Sequence, residues 1–363
     1  MNTFLRKGIA LTLVACSIFT NTSLGNLKPF KPTVVKASEI KNDKKVQKSD
    51  KKEIKVLPND ENVETKEGKQ LLIKDEKNGE ILGNFKKAYD VKYQGSTYIL
   101  EYKNEKTAKK DEKEFTKEKR NVEINETFDV NSKEKTISDE TKDENDIQVS
   151  EENDKKEEKQ QIIVAVIDSG VDLSNEKLNT RLAKSSKENF VKLSDEDIQN
   201  KFYSDELGHG TKIAKLIAEN TDSNVSILPI KVTDDKNQTN TLKLYNGIKS
   251  AIDSNVDVIN ISLNGKGKSK LIDNAIKEAT EKGIAVVVSA GNDGEDTKEY
   301  IPSSTKEAIV VSSKDTNMSN YGDEIDYCAE DSYVGEKGSV SVGTSYSAAY
   351  VTASVAKVLE KTT

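Results

Sequence analysis

One histidine, His209, and two cysteines, Cys16 and Cys328, stand in a chain of 363 residues, and each scarcity removes a class of chemistry. A zinc peptidase built on H-E-x-x-H needs two histidines on one helix face, so that route is closed. Cys16 lies in an apolar N-terminal run, so after export only Cys328 would remain; no disulfide could then cross-link the fold, which must be held by its core. Cys328, in "EIDYCAED", is expected to be a small buried hydrophobe. Apolar side chains are also scarce, at 34% hydrophobic against 33% charged, with a mean hydropathy of -0.70. Part of the chain therefore cannot build a core. No single sign of charge dominates either: the net charge of -7 is the difference between 56 basic and 63 acidic residues. That mixture excludes nucleic acid as a partner.

What is present is unevenly distributed. At the start, "MNTFLRKGIALTLVACSIFTNTSLG" places Arg6 and Lys7 before an apolar run from Gly8 to Phe19, too short for a stable membrane span. It reads as a secretory signal over residues 1–37, with Val35-Lys36-Ala37 as the cleavage site, and the product is expected outside a bacterial cell. The alternative is a lipoprotein box, "LVAC", that would anchor the protein through Cys16. Residues 38–160 are dominated by Lys, Glu, Asp and Asn. The stretches Glu39 to Glu67 and Val130 to Gln160 read as solvated linkers. Between them, at about residues 70–130, an alternating strand (Tyr98 to Tyr102), a polar helix and a second strand (Val122 to Val130) fit a small α+β module, with a further hairpin from "LLIKDEKNGEILGNF". A binding module would fit the same pattern.

From residue 161 to 363 the pattern changes to apolar strands, "IIVAVI", "VSILPI", "DVINIS", "IAVVVS" and "AIVVSS", alternating with amphipathic helices. One helix starts near His209, one runs across Leu242, Tyr245, Ile248 and Ile252, one across Leu271, Ala275 and Ala279, and the last through "SAAYVTASVAKVLEK". Strands alternating with helices imply an α/β fold with a mostly parallel, doubly wound sheet covered on both faces. In such a sheet ligands meet the chain at the carboxyl ends of the strands. Three loops there carry Asp168 in "DSG", His209 in "GHGT" and Ser345 in "GTS". Each alone has a plain structural reading, as turn former, solvated side chain or helix cap. Together they supply acid, base and hydroxyl in one of the chain orders used by nucleophilic triads.

A fourth loop, "SAGN", adds Asn292, and the four motifs in this order resemble those of the subtilisin-like serine proteases over residues 161–363. The resemblance implies a three-layer subtilisin-like fold and an endopeptidase. In it Ser345 is the nucleophile, His209 the base, Asp168 the residue that orients the imidazole, and Asn292 an oxyanion donor alongside the Ser345 N–H. It also implies substrate binding by Ser262, Leu263, Asn264 and Gly265, in "ISLNGKG", and by Ser289, Ala290, Gly291 and Asp293. The chain departs from the family's usual pattern at Ala349 and Tyr350 after the serine motif, at Lys212 after the first, and at Asn264, where glycine is common. Asn264 would narrow the specificity pocket. Asp293, an acidic residue at a position that often faces that pocket, suits a basic residue before the cleaved bond; a turn aspartate is the competing reading.

The resemblance further implies that residues 38–160 are a propeptide acting as an intramolecular inhibitor. A signal, a lysine-rich propeptide and a compact catalytic domain are similar to the leader peptidases of lanthipeptides, which makes a lanthipeptide precursor the expected substrate; general extracellular proteolysis is the alternative. A catalytically silent binding module and an unrelated α/β binding protein are the competitors from other classes. The nucleotide-binding version of the latter would need G-x-G-x-x-G where the chain has "DSGVDLSN". No cofactor is implied. Structural calcium is common in the family, but no loop here carries a run of oxygen ligands.

Overall fold

The computed structural model describes residues 55–56, 68–74, 88, 90–94, 97–117, 120–129, 135–138, 161–172, 174, 178, 180–183, 205, 207–234, 236–314, 318–335 and 339–361. The chain divides into two compact units, residues 1–125 and 126–363. The signal, Cys16 and most of the linker after residue 138 lie outside the described residues.

The first unit holds β1 (Lys55–Val56), β2 (Gln70–Lys74), β3 (Asp90–Gln94), β4 (Thr97–Glu101), α1 (Glu105–Lys117) and β5 (Val122–Ile124), with sheet order β1-β3-β4-β2-β5. All pairs are antiparallel except β1 with β3. Leu71, Ile73, Val91, Tyr98, Leu100, Tyr102, Ala108 and Phe115 form its core. Two buried carboxylates are accounted for: Glu101 accepts from Lys92 Nζ at 2.6 Å, and Asp111 accepts from the Tyr102 hydroxyl at 3.1 Å. The expected hairpin from "LLIKDEKNGEILGNF" takes another form in its first part, because β2 pairs with β4 and β5; the remainder, residues 75–85, lies outside the described residues. The single strand expected over Val122 to Val130 is broken in two, and its second half belongs to the second unit.

That unit begins with β6 (Thr127–Asp129) and β7 (Lys135–Ser138). There follow β8 (Ile162–Asp168), α2 (His209–Glu219), β9 (Val225–Lys231), β10 (Gln238–Asn240), α3 (Thr241–Asp253), β11 (Val258–Ile261) and β12 (Gly265–Lys266). The chain continues through α4 (Lys270–Glu281), β13 (Ala285–Ser289), β14 (Tyr300–Ile301), β15 (Ile309–Ser313), β16 (Ile325–Ala329), β17 (Ser332–Val334), β18 (Ser339–Val342) and α5 (Thr344–Lys361). Six strands make one parallel sheet in the order β16-β15-β13-β11-β8-β9. Alternation divides each strand between two faces. Ile162, Val164 and Val166 of β8 join Ile213 and Ile217 of α2 and Tyr346 and Ala348 of α5 in one core cluster. On the other face a Cβ at Gly247 of α3 would stand 3.3 Å from Ile167, so glycine there lets the helix lie close to β8. Helix α3 starts at Asn240, whose side chain accepts from Lys243 N, and α4 at Ser269, which accepts from Ile272 N. Gly283, at φ 83°, follows Lys282, the C-cap of α4, where glycine takes the left-handed turn that ends a helix.

Two segments differ from the sequence reading. Cys328 is exposed rather than buried, because β16 is the last strand of the sheet; its Sγ lies 3.0 Å from Ser312 Oγ. Residues 135–138, read as solvated linker, form β7, which pairs antiparallel with β18. Backbone pairing needs an open strand edge rather than apolar side chains, so composition gave no sign of it.

Candidate active site

Strand order reverses at β8: β9 lies on one side of it, and the chain then crosses through α3 to β11 on the other. The carboxyl ends of β8 and β11 therefore border the crevice where such sheets place their sites. Asp168 ends β8 and is fully buried. Its Oδ1 accepts from Ser169 N at 2.7 Å and lies 2.7 Å from His209 Nδ1. A buried carboxylate at that nitrogen favours the tautomer with its proton on Nδ1 and leaves Nε2 as the base.

His209 is held by the way its helix begins. Gly208 occupies the cap position at φ 71° and has no side chain to cap with, so Asp205 does it from outside. The Asp205 carboxylate accepts from Gly208 N at 2.8 Å, Thr211 N at 2.7 Å and the Thr211 hydroxyl at 2.6 Å. It also accepts from Ser169 Oγ at 2.7 Å, and that same Oγ accepts from Gly210 N at 3.0 Å. The aspartate loop and the histidine helix are thus tied into one piece. Gly210 is required by their approach: a Cβ there would stand 2.2 Å from the Gly170 carbonyl oxygen.

Ser345 lies in the first turn of α5. Its Oγ donates to the Ser262 carbonyl at 3.1 Å, while Ser262 Oγ donates to the Ser345 carbonyl at 3.0 Å. Asn260 and Thr352 extend this contact from β11 to α5 through bonds of 2.9 and 2.8 Å. The His209 ring lies 6.3 Å from that of Tyr346, the residue after Ser345. Asn292 comes from the loop after β13, and its Oδ1 accepts from Thr344 N at 2.9 Å and Thr344 Oγ1 at 3.0 Å. With the oxygen committed, the amide Nδ2 is the end left to donate. Thr344 Oγ1 also accepts from Gly291 N at 3.1 Å, which ties this loop to the serine turn. Asn320 folds the loop from behind: its Oδ1 accepts from Asp293 N and Glu295 N, each at 3.0 Å, and its Nδ2 donates to the Ala290 carbonyl at 3.0 Å.

The expected substrate residues fall in two segments. Ser262 to Gly265 follow β11, Ser289 to Asp293 end β13 and its loop, and Asn264 bridges them by donating from Nδ2 to the Ser289 carbonyl at 2.7 Å. The Asp293 side chain bonds the Tyr300 hydroxyl, which also donates to Glu295 at 3.0 Å. Burial, followed by these two carboxylates, pushes the Tyr300 hydroxyl well above the ordinary tyrosine range, so it stays a donor. Lys212 donates from Nζ to Ser341 Oγ at 3.1 Å, on the strand leading to Ser345. Asp205, Thr344, Asn320 and Asn260 were not singled out by the sequence. Asp205, Asn320 and Asn260 each tie together groups from separate segments, which no short motif encodes; Thr344, lying inside "GTS", was the one within reach.

Residues 159–363 match the family model described as Subtilase family. The chain belongs to the subtilase family. By family and fold it is a subtilisin-type serine protease. It is 32% identical over 221 residues to the major intracellular serine protease of Bacillus subtilis (strain 168), covering 54% of this chain and 68% of that protein. It is 30% identical over 219 residues to subtilisin amylosacchariticus of Bacillus subtilis subsp. amylosacchariticus, covering 54% of this chain and 55% of that one. Among solved structures, that of a lanthipeptide protease is 26% identical with a TM-score of 0.46, over 54% of this chain and 72% of that one. Among the described residues no helix is long and apolar enough to cross a membrane.

Proposed function

We infer that this subtilase is a secreted serine endopeptidase, made as a precursor, in which Ser345 attacks the scissile carbonyl. The observation that carries this reading is the 2.7 Å contact of His209 Nδ1 with buried Asp168, delivered on a helix start that Asp205 ties to the aspartate loop. As Ser345 Oγ bonds to the carbonyl carbon, its proton passes to His209 Nε2, and Asp168 stabilises the resulting imidazolium. To meet that nitrogen, Oγ must leave its 3.1 Å bond to the Ser262 carbonyl, a rotation about one side-chain torsion on substrate arrival. Charge on the tetrahedral oxygen is met by Ser345 N–H and Asn292 Nδ2. The C–N bond then breaks, and His209 returns the proton to the leaving amine. Water repeats the sequence on the acyl ester, giving the acid and free Ser345.

The first unit and the linker after it act as a propeptide, removed by cutting between Val130 and Gln160. The natural substrate is a peptide precursor of the lanthipeptide kind, cut once between leader and core. A signal-like N-terminus, a lysine-rich segment and a compact catalytic unit support that finer reading. A fluorophosphonate probe should label Ser345, and Ser345→Ala should lose labelling and accumulate at full precursor length. Labelling that persists in the variant would overturn the assignment. The processed enzyme should cut a lanthipeptide precursor at one bond and leave casein largely intact; degradation of both at similar rates would overturn the substrate reading.

A further inference from the structure

His209 is the first residue of α2, and a base that must carry positive charge during the reaction is badly placed there. The free N–H groups at a helix N-terminus amount to about half a positive charge, which opposes an imidazolium. The helix does nothing of its own to offset this: its cap, Gly208, has no side chain, and its first turn contains no acidic residue. The offset comes from outside the helix, from Asp205.

Four donors converge on the Asp205 carboxylate. Oδ1 accepts from Gly208 N at 2.8 Å and Ser169 Oγ at 2.7 Å, and Oδ2 accepts from Thr211 N at 2.7 Å and the Thr211 hydroxyl at 2.6 Å. That set fills the acceptor capacity of an ionised carboxylate. Thr211 is the third residue of α2, so Asp205 takes the N–H that a capping side chain at Gly208 would take, and brings a negative charge with it. Both hydroxyls accept in turn from backbone N–H groups, Ser169 Oγ from Gly210 N at 3.0 Å and Thr211 Oγ1 from Asp172 N at 2.9 Å. The charge is held in place from both loops.

Among the described residues, the other charged groups tied into this corner act in both directions. Asp168 lies 2.7 Å from His209 Nδ1 and favours the imidazolium directly. Lys231 of β9 donates from Nζ to the Ser169 carbonyl at 2.7 Å, and Lys212 of α2 donates from Nζ to Ser341 Oγ at 3.1 Å; both ammonium groups oppose a further cation. The Asp172 carboxylate is turned to Ser174, accepting from its N at 2.9 Å and its Oγ at 2.7 Å. From α5 comes only the Tyr346 ring, 6.3 Å from the imidazole and stacked on Tyr333 at 5.8 Å. Without Asp205, two lysines and the helix terminus would stand against Asp168.

We propose that Asp205 is a positioning residue for the base: it fixes the start of α2 and, by its charge, cancels the helix terminus so that His209 can hold the proton taken from Ser345. This rests on the protease reading above.

His209 is the only histidine of the chain, so in protein without a histidine tag its Hε1 resonance reports the imidazole directly and needs no activity. In the full chain carrying Ser345→Ala, Asp205→Asn should lower the His209 titration midpoint by about 0.5–1 pH unit, because loss of a nearby negative charge disfavours the imidazolium. In the active protein the same substitution should move the acid limb of kcat/KM down by a like amount and lower kcat about tenfold, with KM within about twofold. Ser169→Ala removes one tie and keeps the charge, so it should lower kcat and leave the midpoint in place. Asp205→Ser and Asp205→Thr are further neutral variants should Asn not fold. A midpoint that stays or rises in a folded neutral variant overturns the inference, and so does failure of all three to fold, which would make Asp205 a residue of the fold alone. Fluorophosphonate labelling of Ser345 in the parent protein separates the two readings: with labelling, either result leaves the protease reading standing, and absence of labelling overturns that reading whatever the titration shows.

Discussion

Asn292 divides one amide between two tasks. Its oxygen holds Thr344 N, and so the turn that presents Ser345, at 2.9 Å, while its nitrogen, in the reaction proposed above, would face the charge that develops. Only the second matters more in the transition state than in the ground state. Asn292→Ala should lower kcat by about 10²–10³, the magnitude known for such a donor in a subtilisin, with little change in KM. Steady-state kinetics on an anilide substrate checks it; a rise in KM at constant kcat would make Asn292 a binding residue. The residues carrying "DSG", "GHGT", "SAGN" and "GTS" were legible because each motif couples a reactive side chain to the small residues its turn requires. Asn320 and Asp205 were not, since an Asn or Asp that ties one loop to another looks in the sequence like any polar loop residue. Asn264 was half legible. Its bulk in place of glycine could be read as narrowing the pocket, but its bond to the Ser289 carbonyl appears only in the structure.

Among the elements, the core strands were legible because they are continuous apolar runs, as strands covered on both faces must be. β16 was not, because "IDYCA" lies at the sheet edge with exposed side chains and alternates no better than a loop. Helix-to-helix contacts were beyond the sequence as well. Lys249 of α3 lies 2.6 Å from Glu278 of α4, and Lys282 lies 3.3 Å from the same carboxylate. Burial alone would raise the Glu278 pKa, but the two lysines outweigh it and hold it below its ordinary 4.5. A carboxyl held low stabilises the fold above its unfolded-state value and loses that contribution as pH falls through the depressed one. Glu278→Gln should therefore cost about 0.5–1 kcal/mol at neutral pH, small because the pair is partly exposed. The deficit should shrink as the pH drops below 4.5. Urea denaturation of both proteins across that range tests it, and a deficit independent of pH would mean that packing, not charge, is lost.

For the molecule as a whole, on the precursor reading proposed above, the strand β7 would make activation something other than a single cut. If the linker is cut between Val130 and Lys135, Lys135–Ser138 stays on the enzyme's side of the cut, joined to Gln161 by the 22 residues from 139 to 160. A tethered segment of this kind competes at an effective concentration on the order of millimolar. It pairs with β18, which ends three residues before Ser345, so a peptide running past the cleaved bond along that edge would compete with it. A freshly cut enzyme would then handicap itself against long substrates and not against short ones. Deleting residues 135–138 should lower KM for peptides that extend three or more residues past the cleaved bond, while leaving the anilides, which have none, unchanged. Equal KM values for long peptides with and without the deletion would show that β7 departs with the first cut. Should it remain, the rate at which this protease comes to full strength is set by a second clip or by slow release of its own N-terminal tail, so progress curves on protein substrates would begin with a lag that anilide assays never show.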